Sequence, residues 1–504
     1  MKTIIQPEIL LDEDGNNIQE DCLVRLKMVH YMKGDELINC LRNGIGEIVN
    51  SLKSLLSSYD KERIFKTWFY YVRLVEEFIN VRYELGYMYE LISKRIRIDN
   101  ECEMNFICSV VEDIFGQEIM KHFQELVSLF TGQFTTIYDL LEYLEKRRLH
   151  IMTILNIIPV YANGDKTISL TEIRGKMEGW IDRLLMTITT GCQAIIEAKC
   201  LTDFYGEVTP LRIKFSHHYS HLEDMFLEPQ RLTILDLEKY RPMRFANLRT
   251  KQTWSICSLE ELDITLHNDA IYYAKYGLPD NKKYQSLVAF MKEMKAFFKD
   301  SYLIEITQEE FDGICRRYGE LELYGETDGF YELQNSRYGF VKINDTFYST
   351  YFMLIRFYVN SITKILRRNK TFQIDSGYIF EEKVKEVVAK YGYEYHPECR
   401  RIKHKEFDVV CVKDDVIYNF QCKNNYMSVA SIGVKESDVA SRYNRRLMNY
   451  YDAAFRKEVN REQLLTEKLG LEEIKNLVVS RFPVVTDNKF IIPFNRLEEW
   501  LATN

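Results

Sequence analysis

The chain has 504 residues, of which 46% are hydrophobic and 28% are charged, a composition that is typical of folded globular proteins and excludes a low-complexity chain. The 67 Lys and Arg against 75 Asp and Glu leave a net charge of -8, so any site for a polyanion has to be a local one. The 11 cysteines include none of the CxxC spacings that structural zinc sites use, and this usage predicts a reduced, cytoplasmic protein.

The N-terminal segment does not have the pattern of a signal peptide, because Gln6, Pro7 and Glu8 interrupt its apolar residues and acidic residues follow. No window of the sequence approaches the roughly 18 uninterrupted apolar residues that a membrane helix needs. We therefore expect a cytoplasmic protein that has no membrane partner.

The first two thirds of the chain are predicted to be mainly α-helical. There are only 9 prolines in the sequence, and long stretches carry none. Apolar residues at three- and four-residue spacing mark one long amphipathic helix through Ile64, Trp68, Val72, Val75 and Ile79. Similar patterns cover Met104–Phe130 and Ile137–Ile158 and stop at the turn residues Ala162-Asn163-Gly164-Asp165, which predicts a helical region over 1–162.

A second helical region is expected over 163–300, with helices near Leu170–Ala198, Leu259–Tyr276 and Lys283–Lys299. From Leu303 short apolar alternations are cut by Gly, Asp and Asn, which predicts a small β-meander. One further helix at about Tyr351–Leu366 completes a region over 301–370.

The last region, 371–504, contains the pattern that indicates chemistry. Two β-rich runs within 406–423 are joined at Lys413-Asp414-Asp415, which predicts an antiparallel hairpin. Alternation along the second strand puts Asn419, Gln421 and Lys423 on one face and Phe420 and Cys422 on the other.

Polar residues at the end of an apolar hairpin need partners or a function, since burying them without partners costs free energy. Phosphodiester hydrolysis uses such a set: oxygen ligands for a divalent cation, and a lysine that stabilises the negative charge of the transition state. Asp408 is then the central ligand, with Gln421 and the Cys422 carbonyl as further oxygens. Lys423 is the cation beside the attacking water.

These residues resemble the motif of the PD-(D/E)xK nuclease superfamily. Asp408 matches the motif aspartate, and Gln421-Cys422-Lys423 looks like the Q-x-K variant of Mrr-type restriction endonucleases. Gly377-Tyr378-Ile379-Phe380-Glu381 is similar to the G-x-x-F-E opening of the family's first helix, which implies that Glu381 reaches the metal. The resemblance implies a C-terminal α/β domain of the restriction-endonuclease type, a mixed sheet flanked by helices. Its later strands are expected at Val478–Val485 and after Ile491.

The chain departs from the family pattern at two points: no proline precedes Asp408, and Gln421 replaces the usual acid. The glutamine removes one negative charge from the metal site. That loss lowers the affinity for a divalent ion unless Glu381 and the Cys422 carbonyl compensate.

Cations near the motif are candidate nucleic-acid contacts. Arg442, Arg445 and Arg446 share a helix face, and Arg401 and Lys403 precede the hairpin together with Arg400 and Lys405. The alternative for the three helix arginines is an ordinary solvated face.

Two other sites compete with the hairpin. His217 and His221 are spaced i, i+4, as metal ligands on a helix can be, but the H-E-x-x-H signature is missing. Arg212 followed by His217 fits the loose R-x4-6-H pattern of helical HEPN ribonucleases. The sequence has no P-loop, no dinucleotide fingerprint and no GxSxG elbow.

The resemblance implies Mg2+-dependent hydrolysis of DNA, with Mn2+ as a substitute ion. It favours an endonuclease over an exonuclease. The architecture is similar to prokaryotic restriction and anti-phage effectors, in which a sensor region controls such a nuclease. An inactive nuclease fold that only binds nucleic acid or protein is the alternative. The sequence leaves three kinds of partner open: a second copy of the chain in a homo-oligomer, a partner subunit, or a phage-derived trigger.

Overall fold

The structure of the protein is a computed structural model. It describes residues 3–4, 30–209, 213–216, 259–300, 302–334, 336–425, 437–482 and 484–504. The chain is mostly helical with small sheets, including a mixed five-stranded sheet near the C-terminus, as expected. Among the described residues, no helix combines the length and the apolar character that crossing a membrane requires.

The described helices are α1 (Gly34–Ser57), α2 (Lys61–Ser93), α3 (Glu101–Phe115), α4 (Gln117–Leu129), α5 (Ile137–Tyr161), α6 (Leu170–Glu172), α7 (Gly179–Cys200), α8 (Leu259–Tyr272), α9 (Lys282–Met294), α10 (Gln308–Arg317), α11 (Phe330–Gln334), α12 (Tyr351–Leu366), α13 (Lys370–Lys390), α14 (Ser437–Val459), α15 (Gln463–Leu469) and α16 (Leu497–Thr503). The strands are β1 (Thr3–Ile4), β2 (His30–Lys33), β3 (Tyr205–Val208), β4 (Ile213–Phe215), β5 (Leu303–Thr307), β6 (Val341–Ile343), β7 (Thr346–Thr350), β8 (Glu394–Tyr395), β9 (Arg401–Ile402), β10 (Lys405–Glu406), β11 (Val409–Lys413), β12 (Val416–Lys423), β13 (Glu473–Ser480) and β14 (Ile491–Pro493).

The chain forms two compact units, and neither is continuous in sequence. The first contains the described residues of Met1–Val49, Met186–Lys239 and Gln373–Asn504, and the second those of Asn50–Leu185 and Tyr240–Phe372. The four regions expected from the sequence, 1–162, 163–300, 301–370 and 371–504, stay predictions. All the residues of the candidate site belong to the first unit.

The five-stranded sheet of the first unit has the order β14-β13-β12-β11-β8. Strand β12 is central; it pairs antiparallel with β11 and parallel with β13, and β13 pairs parallel with β14. The register places Phe420 opposite Val409 on one side and Leu477 on the other. The sheet is therefore mixed, and its central strand carries the motif residues.

The hairpin between β11 and β12 turns at Asp414 and Asp415, as the sequence predicts. Both residues have positive φ angles, 51° and 61°, which is the conformation of a type I′ turn. Aspartate tolerates this left-handed region better than most residues, and the I′ turn matches the twist of the strands. The turn sets the pairing of Lys413 with Val416 and so the register of the whole hairpin.

Helices cover both faces of this sheet. On one face α13 contributes Phe380 and Val384 to a core that contains Phe420, Val479 and residues of α16. On the other face Leu447 of α14 packs near Val478, and α15 contributes to a further cluster with β11 and β12. The strands are largely apolar on both faces for this reason; the exceptions are the polar motif at the end of β12 and a few buried polar residues such as Asn419 and Asn476.

The second unit confirms the predicted long helix. All five apolar residues of its stripe are fully buried in α2, and the Trp68 indole donates a 2.8 Å hydrogen bond to the carbonyl of Ile151 in α5. The turn at Ala162-Asn163-Gly164-Asp165 directly follows α5. A Cβ on Gly164 would lie 2.3 Å from the carbonyl oxygen of Ser58, so this turn needs a glycine.

The small β-meander expected within 301–370 is wrong in its topology. The three strands form an antiparallel sheet of order β5-β7-β6, and helix α10 separates β5 from β6. Thr307 and Glu310 form a capping box that starts α10, with the Thr307 N–H donating to the Glu310 carboxylate at 2.7 Å. The T-x-x-E pattern of Thr307 and Glu310 is the sequence signal for this helix, and it lies within a run of alternating residues. Helix α12 has the predicted bounds.

A four-stranded sheet in the first unit was also not predicted. Its order is β1-β4-β3-β2, and it lies in regions that were expected to be helical. The strands contain two to four residues each, too few for an alternating pattern to be recognised. Near the C-terminus, the strand expected at Val478–Val485 is observed at Glu473–Ser480.

We expect the Phe420→Ala substitution to lower the free energy of unfolding by about 3–5 kcal/mol, because it leaves a cavity at the centre of the sheet. Phe420 is fully buried, and its ring centroid lies 6.4 Å from that of Trp500. Urea unfolding followed by tryptophan fluorescence measures the change. The matched control is Phe420→Leu, for which we expect a loss below about 1.5 kcal/mol. A loss below about 1 kcal/mol in the alanine variant contradicts a central position for this ring.

Candidate active site at the end of the hairpin

Asp408 directly precedes β11, and the register of the hairpin places it beside Gln421 on β12. The backbone N–H of Cys422 donates a 2.8 Å hydrogen bond to the Asp408 Oδ2 atom, and the Gln421 amide nitrogen contacts the same oxygen. The aspartate carboxylate is thus held by the backbone and a side chain of the neighbouring strand. The predicted pairing of Asp408 with the Q-x-K segment is present in the structure.

Glu381 reaches the same place from α13. Its neighbour Phe380 is buried in the sheet core, which fixes the helix at this turn, and the Glu381 side chain is only 13% exposed. The Arg400 Nη1 atom lies 2.7 Å from Glu381 Oε2 and 3.9 Å from Asp408 Oδ1. One guanidinium group therefore faces both carboxylates.

Backbone carbonyls hold Arg400 in this position. Its Nη1 atom donates to the carbonyls of Asp408 at 2.7 Å and Phe407 at 3.2 Å. The sequence analysis treated Arg400 only as one more cation near the hairpin, and the structure shows it as the counterion of the two candidate metal ligands. No residue spacing indicates this role, since the contacts depend on backbone carbonyls and on where α13 packs against the sheet.

The two carboxyl groups share a partly desolvated position, and both have raised pKa values. Burial, together with the charge of Asp408, raises the pKa of Glu381 to about 7, although Arg400 acts in the opposite direction. Burial also raises the pKa of Asp408, against the effects of the Cys422 N–H, Lys423 and Arg400. The burial of the Cys422 thiol raises its pKa well above the ordinary value, which agrees with a packing role for that side chain.

Lys423 is the last residue of β12 and is half-buried. Its Nζ atom lies 5.4 Å from the centroid of the Tyr450 ring of α14, and its charge lowers the pKa of Asp408. The predicted catalytic residues Asp408, Gln421, Lys423 and Glu381 are therefore gathered at one end of the hairpin.

A buried polar network that the sequence analysis missed lies behind Gln421. The Arg461 guanidinium forms an ion pair with the fully buried Glu458, and its Nη2 atom lies 3.5 Å from the Gln421 amide oxygen. The Asn419 amide donates to Glu458 at 3.0 Å and to Asn476 at 2.9 Å. The polar face of β12 thus continues into the interior, and Asn419 belongs to this structural network.

The predicted nucleic-acid contacts lie outside the carboxylate cluster. Arg442, Arg445 and Arg446 are exposed on α14, where Arg445 donates a 2.7 Å hydrogen bond to the carbonyl of Lys199. Arg401 and Lys403 are exposed on the short β9–β10 hairpin that follows Arg400. Their role in binding nucleic acid stays a prediction.

The donor atoms at this position fit Mg2+ in chemical class. The carboxylates of Asp408 and Glu381 are of this class, since Mg2+ commonly uses one or two protein carboxylates while it keeps several waters. Gln421 presents its amide nitrogen to Asp408, and its amide oxygen lies 3.5 Å from the Arg461 Nη2 atom. Nowhere in the described part of the chain do three or more His, Cys, Asp or Glu side chains form a group that could hold a metal ion. Any ion here has to rely on the two carboxylates and on neutral oxygens.

The competing candidates, Arg212, His217 and His221, lie outside the residues that the structure describes. The chain matches no protein-family model, no curated protein and no solved structure. The geometry of the site is therefore the basis for the functional argument.

We expect a pH-dependent stability difference between the wild type and Glu381→Gln in EDTA. The folded-state pKa of Glu381, about 7, lies above the ordinary 4.5, so the folded protein retains this proton more strongly than the unfolded chain does. The wild type then loses stability relative to the glutamine variant as the pH rises from 4.5 through 7, by up to roughly 3 kcal/mol.

Urea unfolding at pH 4.5, 6 and 8 measures this difference. Glu382→Gln, at an exposed position one residue further along α13, is the control, and we expect it to change stability by no more than about 0.5 kcal/mol at each pH. A Glu381→Gln difference that stays constant from pH 4.5 to 8 contradicts the raised pKa.

Proposed function

We propose that the protein is a Mg2+-dependent nuclease that hydrolyses DNA phosphodiester bonds, with a restriction-endonuclease-like domain of the PD-(D/E)xK superfamily, Mrr type, at its C-terminal end. The observation that carries the proposal is the convergence of Asp408, Glu381, Gln421 and Lys423 at the end of one hairpin. The mixed sheet, with its parallel β12–β13 pair between helices, supports it further.

Each residue has a chemical role in this proposal. Asp408 and Glu381 would hold the ion, with the Gln421 amide and the Cys422 carbonyl as neutral ligands. Mg2+ held there would supply a water of lowered pKa and offset negative charge in the transition state. The charge of the Lys423 ammonium lowers the pKa of Asp408, so the two groups interact. In this proposal the ammonium stabilises the negative oxygen of the scissile phosphate in the transition state.

The raised pKa of Glu381 is consistent with this use. Two ionised carboxylates in a desolvated position repel each other, and a bound divalent cation offsets that repulsion. Cation binding therefore competes with protonation of Glu381 and with its ion pair to Arg400.

The wider biological proposal is a cytoplasmic restriction or anti-phage effector. The helical majority of the chain is much larger than a nuclease needs, and in this proposal it senses a trigger, recruits a partner subunit or forms a homo-oligomer. DNA is the proposed substrate, and Mn2+ is the proposed substitute for Mg2+.

One observation favours the alternative, a nuclease fold that binds nucleic acid without cutting it. The Arg400 guanidinium already balances the charge of Glu381 and lies close to Asp408, which is where a cation is needed. A Mn2+ titration followed by electron paramagnetic resonance separates the two functions. Tight binding that is lost in Asp408→Asn supports the nuclease, and no binding to the wild type supports the inactive fold.

We expect Asp408→Asn and Lys423→Met each to lower Mg2+-dependent cleavage of DNA by at least about 100-fold, because the first removes a ligand charge and the second removes the cation at the developing negative charge. The assay uses supercoiled plasmid, and in parallel RNA, with Mg2+, Mn2+ or EDTA.

Two exposed residues of the same unit serve as controls for this assay. Asp415→Asn keeps a residue that tolerates the left-handed turn, and Lys489→Met removes an exposed cation from a loop. Both controls should cleave within about twofold of the wild type, as surface substitutions usually have small effects. If both motif variants cleave as the wild type does, the site is not the catalytic one.

A further inference from the structure

Two exposed tyrosines lie against the cations of the candidate site. Tyr378 is 53% exposed and lies on α13, and Tyr450 is 51% exposed and lies on α14. The Arg400 Cζ atom is 5.8 Å from the centroid of the Tyr378 ring, and the Lys423 Nζ atom is 5.4 Å from that of Tyr450. Each ring is therefore held beside a site cation by a cation–π contact and is also open to solvent.

The two rings come from helices on opposite faces of the sheet. Phe380 of α13 belongs to the core on one face, and Leu447 of α14 belongs to the core on the other. The packing of these neighbours fixes the helix turns that carry Tyr378 and Tyr450. An extended ligand at the strand ends therefore has one aromatic ring available from each helix.

Neither tyrosine is needed for the core, because about half of each side chain is exposed. Contact with solvent contributes little favourable free energy to an exposed aromatic ring, whereas stacking on a nucleobase contributes roughly 1–3 kcal/mol per base. The bases of a duplex are already stacked on one another, so a side chain can stack only on bases that are unpaired or displaced.

A row of cations leads away from one of the rings. Arg446 precedes Tyr450 by one helical turn and Arg442 precedes Arg446 by another, and both are exposed on α14. Aromatic platforms beside a cationic track are the combination that binds a single strand through its bases and its phosphates together.

We propose that the site takes single-stranded or locally unpaired DNA, with Tyr378 and Tyr450 as stacking platforms for bases next to the scissile phosphate. The inference rests on the proposed nuclease function and names its substrate class. Tyr378 and Tyr450 are specificity-determining residues in this proposal, and the phosphate lies between Arg400 and Lys423.

The test measures binding without cleavage. Fluorescence anisotropy in EDTA compares a labelled 20-nucleotide single strand of mixed sequence with a hairpin duplex that contains the same sequence. We expect Tyr378→Ala and Tyr450→Ala each to weaken binding of the single strand by about 5- to 150-fold, as the loss of one stacked base predicts, and to weaken duplex binding less than twofold.

Three controls separate stacking from other effects. Tyr378→Phe and Tyr450→Phe retain the ring and should bind the single strand within about twofold of the wild type, since stacking uses the ring face. Tyr31→Ala removes a 67% exposed tyrosine from β2, which lies in the four-stranded sheet of this unit, and should leave binding unchanged. Thermal unfolding checks that the alanine variants fold, as expected for exposed positions.

The inference is overturned if the wild type does not bind the single strand, if the alanine variants bind it as tightly as the wild type, or if they lose duplex binding equally. Failure of the nuclease function is a separate result, because it appears only in the Mg2+ cleavage assay. A protein that cleaves plasmid but shows no tyrosine effect retains the proposed function without this substrate preference.

Discussion

The hydrogen bond from the Cys422 N–H to the Asp408 carboxylate is the interaction on which the site depends. It joins the residue before β11 to the end of β12, so the aspartate has a fixed place only if the hairpin register is correct. The register depends in turn on the left-handed turn at Asp414 and Asp415, and on the burial of Phe420 at the centre of the sheet. A shift of one residue would turn Gln421 and Lys423 to the opposite face, so the site and the fold have the same determinants.

Charge balance explains the arrangement around this bond. Glu381 and Asp408 are brought together by the packing of α13 on the sheet. Burial raises the pKa of both carboxyl groups, and the charge of Asp408 adds to the increase at Glu381. Arg400, anchored on the carbonyls of residues 407 and 408, supplies one positive charge to this pair, and Lys423 supplies another from the end of β12. A divalent ion would either bind next to these two cations or displace Arg400 from Glu381. The affinity for metal is therefore coupled to the position of the Arg400 side chain.

The sequence was sufficient to predict the parts that local patterns determine. The hairpin turn, the alternation along β12 and the helix that contains Glu381 all leave signals within a few residues, and the structure has them. The contacts of Arg400 and Arg461 with the site leave no such signal, because Arg400 bonds to backbone carbonyls and Arg461 reaches Gln421 from 40 residues further along the chain. The four-stranded sheet gives no local signal for a similar reason: its strands are short, and β2 and β3, which pair with each other, lie about 170 residues apart.

The network behind β12 gives a physical reason why position 421 differs from the nuclease motif that the hairpin resembles. The Gln421 side chain contacts the Asp408 carboxylate through its amide nitrogen, while its amide oxygen faces the guanidinium of Arg461. A carboxylate at this position could accept from Arg461 but could not donate to Asp408. It would also add a negative charge next to the buried Glu458, which already has Arg461 as its ion-pair partner. A neutral side chain with one donor end and one acceptor end therefore suits this interior better than the acid of the family motif.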